Sequence, residues 1–298
     1  MKCQHPRRYT TQPGVSSNEP TNTEQRYLRS EYAQGKRRTI FCPGCGNGII
    51  LGYFVRAIDE LKREGKFDDS RLYIVTGIGC SGNTPIPLKY NIVRALHGRA
   101  LSVATGIKLV RPDAEVVVFA GDGDLLSIGG NHFIHTIRRN VSVKVILINN
   151  MLYGMTGGQV APTTPINAIT HTTPYGNPEP PLDACKLAVS LGATYVARWT
   201  VALARQCIQS IKELLLHKGF GLLECLSQCP VYQGRYVIGV DRPSKIMDYY
   251  LRITEISSEP RYGEKITIGK FADYEKPTYE EIVWSMISKV GRVMHGEG

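Results

Sequence analysis

Glu115-Val-Val-Val-Phe-Ala120, then Gly121-Asp-Gly-Asp124, an amphipathic segment, and Val143-Lys-Val-Ile-Leu-Ile148 closing on Asn149-Asn150 together decide the fold of this chain. Each apolar run is of strand length and ends in a polar turn, and the segment between them has helical spacing, so the unit reads as strand, helix, strand. Two parallel strands joined through a helix bring their carboxyl ends to one rim of the sheet. The acidic turn and the paired Asn therefore share that rim. The 25 residues from 124 to 148 give the spacing at which such a unit grips a metal-bound diphosphate. Asp122 offers a hard anionic oxygen and Asn150 a neutral amide oxygen. That pair suits Mg²⁺, which takes few protein ligands and completes its octahedron with phosphate and water. The main-chain carbonyl of Leu152 is the expected third protein ligand. Gly121 and Gly123 lack Cβ, so the chain can turn sharply and approach phosphate closely.

The same alternation extends outward. Asn47 to Glu64 has helical spacing, with Ile50, Leu51, Phe54, Val55, Ile58 and Leu61 recurring at three and four. A strand over 71–76 exits into Gly77-Ile-Gly-Cys-Ser-Gly82, and a helix over 100–110 stops at Arg111-Pro112. A helix at about 129–139 fills the central unit. Residues 151–181 form a long loop rich in Gly, Pro and Thr, a length that tends to be functional inside a compact domain. Helix 182–190, strand 194–197, helix 201–217 and strand 220–226 follow. This order predicts an α/β fold with a doubly wound, mostly parallel sheet covered by helices on both faces. Three segments are expected: a basic arm at 1–38, the α/β domain at 39–240, and a C-terminal extension at 241–298 that contacts a partner.

With 298 residues, of which 42% are hydrophobic, the chain can bury one substantial core. No apolar run approaches the roughly 20 residues of a membrane span, and the polar N-terminus lacks a secretory apolar core. A cytoplasmic protein is expected. The net charge of +10 is unevenly placed, since residues 1–41 carry eight Lys and Arg against three Glu. That Pro-, Ser-, Thr- and Asn-rich stretch reads as an extended arm. Lacking interleaved aromatics or a recognition motif, it fits an acidic protein surface better than nucleic acid.

Eight cysteines include a Cys42-Pro-Gly-Cys45 turn, which alone supports half a zinc site, a redox dithiol or two iron-sulfur ligands. No second C-x-x-C or H-x₃-H follows for zinc. Cys80 stands at one strand exit and Cys229 after another, so four distant thiols can meet where parallel strands converge. Cys225 competes with Cys229, although its place inside an apolar strand suggests a buried small hydrophobe. Cys3, Cys185 and Cys207 have no spacing partner and read as structural.

Gly121-Asp-Gly-Asp124 with Asn149-Asn150 resembles the thiamine diphosphate (TPP) motif. Ser127-Ile-Gly-Gly-Asn-His-Phe-Ile-His135, Arg138-Arg-Asn140 and Tyr153-Gly-Met-Thr-Gly-Gly-Gln159 are similar to the β subunits of 2-oxoacid:ferredoxin oxidoreductases. The resemblance runs from about Cys42 to Arg235. It implies a TPP-type α/β fold and an oxidoreductase that converts a 2-oxoacid and coenzyme A to acyl-CoA and CO₂, or the reverse, passing single electrons through a [4Fe-4S] cluster to ferredoxin. The substrate implied by overall resemblance is 2-oxoglutarate, with pyruvate or a branched-chain 2-oxoacid as the alternative. It further implies TPP and Mg²⁺ held by Ile78, Gly79, Cys80, Ser81, His97, Gly121, Asp122, Gly123, Asp124, Asn150, Gly154, Met155 and Thr156, with cluster ligands Cys42, Cys45, Cys80 and Cys229.

His97 precedes a helix and is a candidate donor to the diphosphate, with simple packing as the other reading. His132 and His135, three apart and without carboxylate or Cys companions, read as packing or partner-facing residues. Asn83 marks a departure: some relatives carry a basic residue there to meet the substrate carboxylate, and an amide supplies no charge. TPP activation needs a carboxylate, usually Glu, against the aminopyrimidine ring, and no Glu of this chain sits in a matching motif. The resemblance assigns that Glu to a separate α subunit, so the chain is expected to work as αβ or (αβ)₂, with or without further subunits, and without nucleic acid or membrane. Two other classes stay open: a cluster-free TPP decarboxylase or synthase subunit, and a zinc-bound nucleic-acid-binding protein.

Overall fold

The computed structural model describes residues 27–36 and 39–294, so most of the basic arm, and Cys3 with it, lies outside the described residues. The elements in chain order are α1 (Ser30–Ala33), α2 (Gly46–Arg63), β1 (Leu72–Thr76), β2 (Asn91–Arg94), α3 (Ala100–Val110), β3 (Glu115–Gly121), α4 (Gly130–Arg139), β4 (Val143–Asn149), α5 (Ala184–Ser190), β5 (Tyr195–Thr200), α6 (Ala204–Leu216), β6 (Gly221–Leu226), α7 (Pro243–Ile253), β7 (Thr254–Ile256), β8 (Ile266–Asp273) and α8 (Tyr279–Met294). The eight strands form one sheet in the order β2-β1-β3-β4-β6-β5-β8-β7. Every pairing is parallel except that of β5 with β8.

Strands buried on both faces explain the continuous apolar runs. Val117 and Phe119 of β3 and Ile146 and Ile148 of β4 face one layer, where Phe54 of α2 meets Phe119 edge-on at 5.0 Å. Val116, Val118 and Ala120, with Val143, Val145 and Leu147, face the other, under Leu101 and Ala104 of α3 and Phe133 and Ile137 of α4. This alternation is the pleat of a doubly wound sheet. Asn140 ends α4 in the left-handed region at φ 53° and uses its side chain to hold Phe220 N at 2.9 Å, which sets the entry to β6.

Two features depart from expectation. The exposed edge strand β2, with Val93 half-exposed, carries no apolar pattern of its own, and nothing in its sequence marks a strand. The segment after Asp241 is built into the sheet: β8 pairs with β5, β7 pairs with β8, and Ile246, Tyr250, Ile266 and Ile268 make a third apolar cluster with Met151 and Leu226. A boundary at residue 240 therefore divides the sequence and not the sheet. Strand β5 also runs to Thr200, three residues beyond its expected end, because Trp199 and Thr200 stay in register with Cys225 and Leu226 of β6. Within 27–36, Tyr27 is buried in the core and Leu28 bridges Leu88. Among the described residues no helix is long and apolar enough to cross a membrane.

The order of strand addition reverses at β1, since β2 lies on one side of it and β3 pairs on the other. Parallel sheets bind ligands outside the carboxyl ends of the strands at such a point. Register sets the rim: Thr76 is paired with Phe119, Gly121 with Ile148 and Asn149 with Leu226, so the segments after β1, β3, β4 and β6 emerge together.

Candidate cofactor, metal and cluster site

At that rim a cleft is lined by residues of three strand exits, Ile78 to Ser81, Gly121 to Asp124 and Asn150 with Leu152 to Thr156, together with His97. All thirteen cofactor residues expected from the sequence line it. Tyr153 is the addition that spacing could not anticipate.

The chain folds into this cleft around Asp124. Its carboxylate accepts from Gly98 N at 2.7 Å, from Ile78 N at 3.3 Å and from His97 Nδ1 at 2.5 Å, while the side chain is 3% exposed. One anion thus ties the exits of β1 and β3 to the turn before α3. Because a carboxylate accepts, His97 carries its proton on Nδ1, and Nε2 remains available to a bound group. A Cβ on Gly77 would stand 1.9 Å from Asp124 Oδ2, so glycine there is a condition of the knot. Gly123 has a similar reason: a Cβ would meet the Tyr153 ring at 2.3 Å, and the Tyr153 hydroxyl donates to Gly123 O at 3.1 Å. Beyond Gly123 the chain makes a π-helical turn to Ile128 before α4 begins.

Asp122 is buried, and desolvation pushes its carboxyl up to about 7 despite hydrogen bonds from Thr163 and from backbone amides. A buried carboxyl of this kind is one whose charged form gains from a cation beside it. Asn150, also buried, has its Oδ1 3.4 Å from Leu152 N. Between them Met151 takes φ 62°, a left-handed backbone that turns the segment between Asn150 and Leu152 along the cleft wall.

The four thiols gather beside the same cleft. The amide of Cys45 donates to Cys42 O at 3.0 Å, closing the C-x-x-C turn at the start of α2, and the amide of Gly46 donates to Gln228 O at 2.9 Å, seating that turn against Ser227–Cys229. Cys80 and Cys229 flank one point, since a Cβ on Gly154 would stand 3.8 Å from each Sγ and 3.5 Å from Asn150 Nδ2. Burial pushes the Cys80 thiol up to about 11, and the thiols of Cys45, Cys229 and Cys42 push the same way. Cys45 is raised by burial too, although Asn47 Nδ2 donates to its Sγ at 3.3 Å. Cys42 is exposed and Cys229 buried, so the set runs from surface to cleft. Both polar atoms of the Gln228 side chain are buried without a partner next to Cys229. Among the described residues no three His, Cys, Asp or Glu side chains are grouped closely enough for a single metal ion. Thiols around one zinc stand much closer than thiols on the corners of a cluster.

Cys225 goes elsewhere. It is fully buried on β6 against the thiol of Cys207. Cys207 donates to Thr200 O at 3.3 Å, and Cys185 is buried beside Glu224 Oε2 at 3.2 Å. Asn83 is buried with Nδ2 on Gly79 O at 3.3 Å and does not line the cleft, so its amide shapes the β1 exit. His132 and His135 lie on α4 away from the lining residues, half-buried and exposed respectively.

Residues 77–225 match the family model described as thiamine pyrophosphate enzyme, C-terminal TPP binding domain. The 2-oxoglutarate synthase subunit KorB of Methanocaldococcus jannaschii is 47% identical over 89% of this chain and 97% of its own length. The 2-oxoacid:ferredoxin oxidoreductase subunit beta of a Sulfolobus species is 37% identical over 81% of this chain and 84% of its own. The chain belongs to the 2-oxoacid:ferredoxin oxidoreductase β-subunit family. A solved member, 2-oxoglutarate:ferredoxin oxidoreductase from Magnetococcus marinus with 2-oxoglutarate, coenzyme A and succinyl-CoA bound, superposes with a TM-score of 0.79 at 32% identity, covering 92% of this chain and 93% of that one. The α/β, mostly parallel TPP-type fold expected from the sequence is thus the fold of the family.

For a β subunit of this family, sequence reasoning missed two residues of the site. Tyr153 stands out in the sequence only as part of a motif, and Thr163, fully buried in the long loop, has its hydroxyl 2.6 Å from Asp122 Oδ2. The one available signal for Thr163 was the length and Thr content of residues 151–181.

Proposed function

We propose that this chain is the TPP- and cluster-binding β subunit of a coenzyme A-dependent 2-oxoglutarate:ferredoxin oxidoreductase. The observation that carries the proposal is the meeting of two chemistries at Gly154, where the amide of Asn150 and the thiols of Cys80 and Cys229 surround the same point. The relatives named for 2-oxoglutarate, and the solved member that holds it, support that substrate over other 2-oxoacids.

The residues fit the cofactors the family implies. Asp122, Asn150 and the carbonyl of Leu152 would hold Mg²⁺, with the diphosphate among Gly121 to Asp124, Gly154 to Thr156 and His97 Nε2. Cys42, Cys45, Cys80 and Cys229 would hold a [4Fe-4S] cluster, whose positive irons answer the raised thiols. When bound, TPP supplies the carbanion chemistry of decarboxylation and the cluster takes electrons one at a time. The chain's own part is placement: Asp124 fixes the His97 tautomer, Tyr153 walls the cleft, and Asn47 donates to Cys45 Sγ. Ile78 and Met155 of the cleft lining stand exposed, as do Leu96 beside His97 and Ile128 close to Gly98. An apolar rim of that kind, together with the lack of a motif Glu, supports completion of the cleft by an α subunit.

The test is to purify the chain with its partner subunit and to measure CoA-dependent viologen reduction with a panel of 2-oxoacids, alongside iron and TPP content. Turnover on 2-oxoglutarate by the complex, and none by the isolated chain, is expected. Reduction with none of the 2-oxoacids, or zinc in place of iron, would overturn the proposal.

A further inference from the structure

Behind the cleft wall runs a chain of buried polar groups that the cofactor fit does not use. The Arg198 guanidinium donates from Nε to Glu224 Oε2 at 2.7 Å and from Nη1 to Thr267 O of β8 at 3.2 Å, and pairs with Asp183 through Nη2. Glu224 Oε1 accepts from Asn149 Nδ2 at 2.7 Å. Asn149 Oδ1 accepts from Met151 N at 2.9 Å and from Thr163 Oγ1 at 3.0 Å, and Thr163 reaches Asp122 Oδ2 at 2.6 Å. Arg198, Glu224, Asn149 and Thr163 are all 0% exposed.

A carboxylate only accepts, so Glu224 pins the NH₂ of Asn149 and aims its oxygen toward Thr163 and Met151. The threonine has one hydroxyl hydrogen, which lies between two acceptors and is shared by Asn149 Oδ1 and the nearer oxygen of Asp122. The bond to Met151 N supports the left-handed residue that stands between Asn150 and Leu152. One amide therefore touches both halves of the metal site.

We propose that Asn149 and Thr163 are a positioning pair, which fixes the Asp122 carboxylate on one side and the Asn150 to Leu152 segment on the other, anchored through Glu224 and Arg198. Neither touches the ion. The inference rests on the reading that Asp122 and Asn150 hold a divalent cation. Partners behind a metal ligand set its orientation, and their loss typically weakens metal affinity by about 10–100-fold.

The experiment uses the full complex stripped of TPP and divalent ions, with protein-bound TPP followed by equilibrium dialysis across a Mg²⁺ series at fixed TPP. Thr163→Val fills the same space without the hydroxyl, and Thr163→Ser restores it. The half-saturating Mg²⁺ concentration is expected to rise about 10–100-fold in Thr163→Val and to return to near wild type in Thr163→Ser, with iron content unchanged in both. If Thr163→Val assembles poorly, Thr163→Ala carries the same expectation. Wild-type Mg²⁺ dependence in the variant lacking the hydroxyl, or equal weakening in Thr163→Ser, would overturn the pair. Asp122→Asn run alongside separates the two failures. Retained Mg²⁺-dependent binding there removes the metal reading itself, whereas its loss with Thr163→Val unaffected removes only the positioning role.

Discussion

Replacing Asp124 tests whether the cleft is organised by one buried anion. Its Oδ1 receives Gly98 N, Ile78 N and His97 Nδ1, and none of these donors has another acceptor in the set of bonds that shapes the rim. A hydrogen bond to a charged group contributes about 1.5–3 kcal/mol against about 0.5–1.5 for a neutral pair. Asp124→Asn keeps the volume and one neutral acceptor, so three bonds weakened by about 1 kcal/mol each predict a loss near 3 kcal/mol. At about 2–4 °C per kcal/mol for a chain of this size, the unfolding midpoint should fall by roughly 6–12 °C. A control is available on the surface: Asp113, with its side chain 47% exposed, pairs with Arg111 at 3.0 Å, and such exposed pairs contribute little. Urea or thermal unfolding of the purified complex, with TPP affinity by equilibrium dialysis, reads both consequences. TPP affinity should drop at least about tenfold in Asp124→Asn, since a loss of 1.4 kcal/mol at the site is enough for that factor, and stay unchanged in Asp113→Asn. If the two variants unfold alike and bind TPP alike, the three-loop knot is not what holds the cleft, and the reasoning fails.

Three further outcomes follow from the same geometry. Cys229→Ser should lose the iron and the broad visible absorbance of the complex, whereas Cys225→Ser keeps both and only loses stability, by about 1–3 kcal/mol for a buried hydroxyl; the reverse result would transfer the fourth ligand to Cys225. Gly123→Ala drives a methyl into the Tyr153 ring, so TPP should bind more weakly with about 1–3 kcal/mol of strain in unfolding, and wild-type affinity in dialysis would show that the ring is not part of the wall. Burial, with Lys144 adding to it, pulls His217 down to about 4 from 6.5. The unfolded chain then binds the proton more tightly, so this contribution is complete above 6.5 and declines as pH falls toward 4, by up to about 3 kcal/mol. His217→Gln should flatten the difference between denaturant unfolding at neutral and mildly acidic pH, and an unchanged pH slope would contradict that sign.

What this sequence discloses of the fold, and what it does not, divides along a physical line. Val116 to Ala120 and Val143 to Ile148 announce themselves because a strand buried on both faces is apolar at nearly every position, Lys144 being the exception with its ammonium on Gly219 O, and the polar residues at the carboxyl ends must then lie at the rim. Local spacing carries that information. Strand β2 has an exposed edge and no such demand on its residues, and β8 owes its place to the uncovered side of β5, where Gly269 pairs with Arg198, 71 residues earlier. Thr163 belongs to the same class: a threonine in a loop has no period, and only the fold decides that its hydroxyl meets Asp122. The pair Asn149-Asn150 shows both cases in adjacent residues.

Alternation along β4 sends the two asparagines to opposite sides of the rim. Asn150 lines the cleft and is legible as a ligand from its spacing to Asp122, while Asn149 points back into the protein, where Glu224 and Arg198 wait. A buried Arg–Glu pair is weak evidence for stability, because apolar residues of similar volume often do as well. Here the pair is extended through an amide and a hydroxyl to a carboxylate at the cleft, and through Thr267 O to β8. The C-terminal strand, the least legible part of the sheet, is therefore joined by an unbroken run of buried hydrogen bonds to the most legible residue of the site.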